Sequence, residues 1–254
     1  MTRIMAHRGA RNLWAENSLF GFRETLKHGF DAVEFDVHLT DAGELVVIHD
    51  ATLERTTDGH GPVRALTPEA RRALRLKGPD GELIDECPPT LDEVLALLAT
   101  DPVIEVWVEL KSDVEDRPYT GLAEQAADAI LKAGLTHRAA LHSFDIDVVR
   151  EVRNIAPEMR RLISVNHGWA ARHGGIAALL REAEGLVDIV GIHHELFEAE
   201  LDVIRALRPF SGCSVWTINT PELMRRWIDL GPGFLVSDDP VLLKSLMHQS
   251  AGAA

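Results

Sequence analysis

Short apolar runs alternate with longer amphipathic stretches from one end of the chain to the other. Strands are predicted at 3–8, 32–37, 104–110, 138–143, 160–165, 187–192, 213–218 and 234–237. Helical spacing of apolar positions follows them in Ser18 to His28, Thr90 to Ala99, Gly121 to Ala133, Asp145 to Ile155, Ala171 to Glu184, Glu198 to Leu207, Pro221 to Leu230 and Pro240 to His248. Capping or first-turn signals mark several starts: Asn17, Asp145, Thr220-Pro221 and Asp239-Pro240. Eight alternating βα units over 254 residues predict an α/β fold, a TIM (β/α)8 barrel forming a single domain over residues 1–254. An open doubly wound sheet is the alternative, but no glycine-rich phosphate loop follows the first strand.

Residues 32–50 break the rhythm. Glu34 and Asp36 alternate with Val33, Phe35 and Val37, as on a strand with two unlike faces. Thr40 to Gly43 supply a turn, and Leu45 to Ile48 an apolar returning arm. Such a turn cannot join parallel neighbours, so the second arm is an antiparallel strand outside the eight. With a four-residue loop, Leu39 pairs with Glu44 and His49 falls opposite Glu34, which puts Glu34, Asp36 and His49 on one face. Residues 51–89 then carry many Thr, Gly and Pro positions and one charged helical piece near Pro68 to Leu76. A stretch of that length without strong periodicity, entered from His49-Asp50, reads as a cap-like insertion over the same face.

Composition narrows the partners. A hydrophobic content of 46% supports a full core, and a formal net charge of −14 speaks against nucleic acid and anionic membrane surfaces. Cys87 and Cys213 are expected as reduced structural thiols. No apolar run approaches a membrane span and no signal-peptide pattern opens the chain, so the expectation is a cytoplasmic protein without stable membrane association.

In a barrel of this kind reactive groups sit at the C-terminal ends of strands. There the chain carries His7-Arg8 on the first strand, Glu34 and Asp36 on the second, and Glu109 and Lys111 on the third. Glu34, Asp36 and Glu109 are hard oxygen ligands suited to a divalent cation, Mg2+ or Ca2+. His7 and His49 titrate near working pH and can serve as general acid and base. Arg8 and Lys111 are placed to hold an oxyanion such as a phosphate. Trp216 ends its strand beside the cleft, where it either stacks on a substrate or packs the core. His28, His38, His60, His137, His142, His167, His173 and His248 read as surface or packing residues, and the pair His193-His194 falls closer to packing than to the cleft.

Ala6-His7-Arg8-Gly9, Glu16-Asn17-Ser18, Glu34-Phe35-Asp36-Val37, Thr40-Asp41-Ala42-Gly43, Val47-Ile48-His49-Asp50 and Arg55-Thr56-Thr57 resemble, in order and spacing, the glycerophosphodiester phosphodiesterase family. So do Glu109-Leu110-Lys111, Ser143-Phe144, Trp216-Thr217-Ile218-Asn219 and Ser237-Asp238-Asp239-Pro240. The resemblance covers essentially the whole chain. It implies a TIM barrel with a small insertion after the His-Asp motif, metal carboxylates at Glu34, Asp36 and Glu109, acid–base histidines at His7 and His49, and phosphate contacts from Arg8 and Lys111. The implied reaction is hydrolysis of small glycerophosphodiesters, such as glycerophosphocholine or glycerophosphoethanolamine, to sn-glycerol 3-phosphate and an alcohol. Departures from the family pattern at Ala15, Ser18 and Ser237 touch loop stiffness rather than chemistry. Competing readings are a lysophospholipase D-type or sphingomyelinase D-like enzyme acting on lipids, a Schiff-base aldolase working through Lys111, and a non-catalytic anion-binding barrel.

Overall fold

In the computed structural model, which describes residues 2–252, eight parallel strands close on themselves and a ninth, antiparallel strand hangs from the rim. The strands are β1 (Arg3–His7), β2 (Ala32–Leu39), β3 (Leu45–Val47), β4 (Glu105–Leu110), β5 (Ala139–Ser143), β6 (Arg160–Val165), β7 (Ile189–His193), β8 (Cys213–Trp216) and β9 (Phe234–Ser237). β1 pairs with both β2 and β9, which closes the barrel, and β3 is the antiparallel arm.

The two-residue period of each strand sorts its side chains into two cores. Val33, Phe35 and Val37 of β2, with Val106, Val108 and Leu110 of β4, point outward and pack against the helical layer. The inward parity builds a separate plug from Met5, Ala32, Trp107, Ala140, Leu162, Ile189, Phe234 and Val236. A step of two residues along the chain lifts each strand from this plug to the layer above. That layer holds His7, Glu34, Glu109, His142 and Ser164, so alternation alone carries the barrel from apolar floor to polar ceiling.

The rim hairpin differs from the expected register. Thr40 donates its N–H to the Glu44 carbonyl at 2.9 Å, and its hydroxyl accepts the Glu44 N–H at 3.0 Å. Glu44 therefore belongs to the loop, and the pairs are Leu39–Leu45, His38–Val46 and Val37–Val47. Continued, this ladder would set His49 opposite Phe35 rather than Glu34. It stops at Val47 instead, so His49 escapes the pleat. The His49 carbonyl accepts a hydrogen bond from His38 Nε2 at 3.0 Å, while His38 Nδ1 faces the Tyr119 hydroxyl at 2.9 Å.

Other expectations shift for local reasons. The helix expected over Ala171 to Glu184 is two, His167–Arg172 and Ile176–Glu182, parted by Gly174 and Gly175, both at positive φ. That over Glu198 to Leu207 is likewise His194–Ala199 and Leu201–Leu207, broken at Glu200. The cap of the first helix is Ser18, whose hydroxyl accepts from Gly21 N–H. Asn17 sits one residue earlier and turns its side chain into the barrel. Within 51–89 the regular structure is a 3-10 turn at Val63–Ala65 and a short helix, Pro68–Ala73. Leu53, Val63 and Leu66 of that segment bury themselves against Val46 and Ile48 of the hairpin.

The clasp at His38 makes stability depend on pH. Burial drives its imidazole from the ordinary 6.5 down to about 4. The unfolded chain then binds this proton first as pH falls, so folding stability drops by about 3 kcal/mol between pH ~6.5 and ~4. Thermal melts across that window should show Tm falling for the native chain and a visibly flatter profile for His38→Gln. Parallel profiles would sink this account.

Candidate active site

The cavity above the apolar plug is lined by His7, Arg8, Glu34, His49, Glu109 and His142 on its polar side, with Phe144 and Trp216 across from them. These come from β1, β2, β4, β5 and β8 and from the segment after β3. Arg8 reaches in because the chain curls sharply after β1: Arg8, Gly9 and Ala10 all have positive φ. A side chain at Gly9 would press on Phe22 at 3.2 Å, and one at Gly21 would meet the Gly9 carbonyl at 2.9 Å. Glycine at both positions lets the curl and the first helix touch.

Asp36 stands apart from the cavity. It is fully buried, with Arg8 Nε 3.3 Å and Lys111 Nζ 3.4 Å from its oxygens and Asn17 Nδ2 donating at 3.0 Å. Burial alone would raise its pKa, but Arg8 and Lys111 hold it well below the usual carboxylate range. Lys111 also donates to Glu109 at 2.7 Å. Burial opposes the ammonium, yet Glu109 and Asp36 raise its pKa, so a neutral Schiff-base amine has no support here. From Arg8 the network runs outward. Its Nη1 meets Glu16 at 3.2 Å, Glu16 takes two bonds from Arg55 at 2.9 Å, and Arg55 grips Asp50 at 2.6 Å.

The two histidines expected as acid and base face the same cavity, each with Nδ1 tied to a carboxylate. His7 Nδ1 bonds Asp238 at 2.5 Å and His49 Nδ1 bonds Asp50 at 2.6 Å. Either bond leaves Nε2 as the working nitrogen. Asp238 is fully buried and also bonded by Arg11 at 2.9 Å and Asn219 at 2.7 Å. Burial pushes its carboxyl up, but the His7 hydrogen bond and the Arg11 charge bring it down to about 2, so it stays ionised. Arg55 and His49 likewise hold Asp50 well below its ordinary value, the hydrogen bond from His49 contributing most.

Glu34, Glu109 and His142 each offer a donor atom, all within 4.8 Å of one another. Both Glu34 oxygens and His142 Nε2 are buried without a hydrogen-bond partner. Unpartnered buried acceptors of this kind are costly unless a cation meets them, so the residues fit a divalent ion. Charge agrees. Glu16, Glu34, Asp36, Asp50, Glu109 and Asp238 face Arg8, Arg11, Arg55 and Lys111, which leaves the assembly two positive charges short with neutral histidines. This grouping joins two of the expected carboxylates, Glu34 and Glu109, to His142, which was assigned to packing; the third, Asp36, lies beside it between Arg8 and Lys111, its Oδ1 buried without a hydrogen-bond partner.

Trp216 lines the cavity beside Phe144, ring centroids 5.5 Å apart and edge-on. His193 packs edge-on behind Trp216 at 4.9 Å, and His194 stacks on His193 at 4.6 Å and borders a separate surface groove. Cys87 and Cys213 are both free thiols. Sequence reasoning gave no site role to Arg11, Asp50, Asn219 and Asp238, read Asn17 as a cap and set His142 among the surface or packing residues. Asn17, Asp50, Asn219 and Asp238 all lie within the motifs Glu16-Asn17-Ser18, Val47-Ile48-His49-Asp50, Trp216-Thr217-Ile218-Asn219 and Ser237-Asp238-Asp239-Pro240. For His142 the signal was parity alone, since it stands two residues beyond Ala140 of the plug.

Comparison with known proteins agrees with this architecture. A glycerophosphodiester phosphodiesterase of Caldanaerobacter subterraneus subsp. tengcongensis is 32% identical over 98% of both chains. A crystal structure from Agrobacterium tumefaciens, named for the same activity, superposes with a TM-score of 0.87 at 27% identity over 99% of each chain. An Oleispira antarctica phosphodiesterase, solved with sn-glycerol-3-phosphate, shares the fold with a TM-score of 0.75 at 23% identity, covering 98% of this chain and 97% of its own. The Glycerophosphoryl diester phosphodiesterase family profile matches residues 7–242, and with the full-length relative this establishes that the chain belongs to that family of phosphodiester hydrolases.

Proposed function

We propose that the chain hydrolyses small glycerophosphodiesters, such as glycerophosphocholine and glycerophosphoethanolamine, to sn-glycerol 3-phosphate and the free alcohol. In this reading His7 and His49 are the acid–base pair and a divalent cation is required. The observation that carries it is the matched pair of imidazoles: each Nδ1 is tied to an ionised carboxylate, and both rings face one cavity with the unpartnered oxygens of Glu34.

The chemistry follows from that geometry. A diester phosphate in the cavity meets Arg8 on its wall, with Lys111 adjoining through Glu109. These charges offset the developing negative charge on the phosphoryl oxygens. One imidazole takes the proton of the attacking oxygen, either the glycerol 2-hydroxyl or water. The other delivers a proton to the leaving alkoxide. Asp238 and Asp50 fix the tautomers and stabilise whichever ring becomes charged. Glu34 and Glu109 would hold the divalent cation, which would supply further neutralisation of the phosphate charge. Trp216 and Phe144 give the opposite wall an apolar face for the glycerol or alcohol carbons. A small diester suits an interior cavity of this kind better than a lipid chain, and no described helix is long and apolar enough to cross a membrane. The free thiols accord with a cytoplasmic setting.

Glycerol 3-phosphate release from glycerophosphocholine tests the reading. His7→Ala and His49→Ala should each lose about 10²–10⁴-fold in kcat with an unchanged circular dichroism spectrum. More than a few per cent residual turnover in either variant would refute the assigned roles. Asp238→Asn should lower kcat by about 10²–10⁴-fold with little change in KM, since it disturbs the His7 tautomer rather than substrate contacts. An equal fall in affinity would remove that positioning role. Excess chelator should abolish turnover and added Mg2+ or Ca2+ should restore it; a rate indifferent to chelator would remove the cation from the mechanism.

A further inference from the structure

His142 has no role in the acid–base scheme, yet it occupies one of the most constrained places in the barrel. It is 4% exposed, pairs in register with Glu109 across β4 and β5, and brings Nε2 to 3.5 Å from Glu34 Oε1. That distance is too long for a hydrogen bond, and Nε2 has no partner. The other ring nitrogen lies 3.3 Å from the Ser164 hydroxyl on β6. A serine oxygen that accepts from Nδ1–H fixes the tautomer and turns the Nε2 lone pair toward the carboxylates. This is the arrangement by which metal-bound imidazoles are usually oriented. Asp36, the carboxylate closest in sequence to Glu34, stands beside this group: Arg8 and Asn17 take its Oδ2, while its Oδ1 lies 3.4 Å from Lys111 Nζ without a hydrogen-bond partner.

We propose that His142 Nε2 is a ligand of the divalent-cation site, making it a mixed nitrogen–oxygen centre with Glu34 and Glu109 that selects a first-row transition ion such as Mn2+ over Ca2+. Ca2+ and Mg2+ favour all-oxygen shells, whereas imidazole nitrogen favours transition ions. The inference rests on the cation requirement in the proposed function and adds the identity of a donor and, through it, of the ion. Ser164 acts through His142, as the group that orients it.

The test uses the full chain, stripped of metal and titrated with Mn2+ and separately with Ca2+ by calorimetry, with pulsed electron paramagnetic resonance on the Mn2+ form. The native protein should show nitrogen hyperfine coupling to Mn2+ that changes on 15N-histidine labelling. His142→Gln should lose that coupling and bind Mn2+ at least about tenfold more weakly, while its Ca2+ affinity moves less than about threefold. Ser164→Ala should keep the coupling and weaken Mn2+ by a smaller factor. Mn2+ bound at a Glu34-dependent site without nitrogen coupling would overturn the proposal and leave the cation requirement standing. Coupling that persists in His142→Gln, or an equal loss of both ions in that variant, would also overturn it. If the native chain binds neither ion, the cation requirement itself falls with it. The coupling is read on the unaltered protein, so a variant that fails to fold does not remove the test.

Discussion

A carboxylate buried as completely as Asp36 costs several kcal/mol unless matched by charge and hydrogen bonds, and much of this barrel's upper end is arranged to match it. Its partners come from three distant places: Arg8 from the curl after β1, Asn17 from the approach to the first helix, and Lys111 from the end of β4. Losing Arg8 or Lys111 strips the buried charge of one of its two counter-charges, where breaking a buried pair costs about 3–5 kcal/mol, and losing Asn17 removes a hydrogen bond to a charged group, about 1.5–3 kcal/mol. The same partners then serve the cavity. Arg8, paired with Asp36, presents its guanidinium to the cavity. Lys111, paired likewise, keeps Glu109 ionised beside Glu34. The buried charge and the polar wall of the cavity share one network here, which is why a charge-dense site can sit on a barrel wall without collapsing onto itself.

The alternation that built the barrel was legible because it is local: apolar runs of strand length and helical spacing reveal themselves within a dozen residues. All eight parallel strands lie where the pattern set them, and of the residues expected at the site, His7, Arg8, Glu34, His49, Glu109 and Trp216 line the cavity while Asp36 and Lys111 lie outside its lining. What escaped depends on register or on a competing hydrogen bond. The hairpin slipped by one because the Thr40 side chain captures Glu44, a contact no periodicity encodes. Asn17 is an excellent cap by type, but Asp36 claims its amide and Ser18 takes the cap. The glycines at 174 and 175 were visible, yet apolar spacing on both sides outweighed them. His142 escaped for a deeper reason. Its neighbours in the chain are Leu141 and Ser143, and its meaning lies in Glu109 and Glu34, joined to it only by barrel closure.

The two imidazoles that face the cavity are held by different physics. His7 ends β1, and its carboxylate partner Asp238 is fully buried and gripped by Arg11 and Asn219, so little about its position is left to solvent. His49 belongs to no strand. Its carbonyl is clasped by His38, its ring is tied to Asp50, and Asp50 is tied in turn to Arg55 of the 51–89 segment. Since Arg55 also binds Glu16, and Glu16 binds Arg8, the segment that departs from the barrel rhythm is joined by charge to the guanidinium on the cavity wall. A chain of alternating signs runs from Lys111 through Asp36, Arg8, Glu16 and Arg55 to Asp50 and His49. The one-residue slip that freed His49 from the ladder thus gave its placement to this chain. Movement of 51–89 would bear directly on the outer imidazole and the arginine together, while it reaches the buried partner of His7, Asp238, through Arg11, which stands 3.7 Å from Glu16.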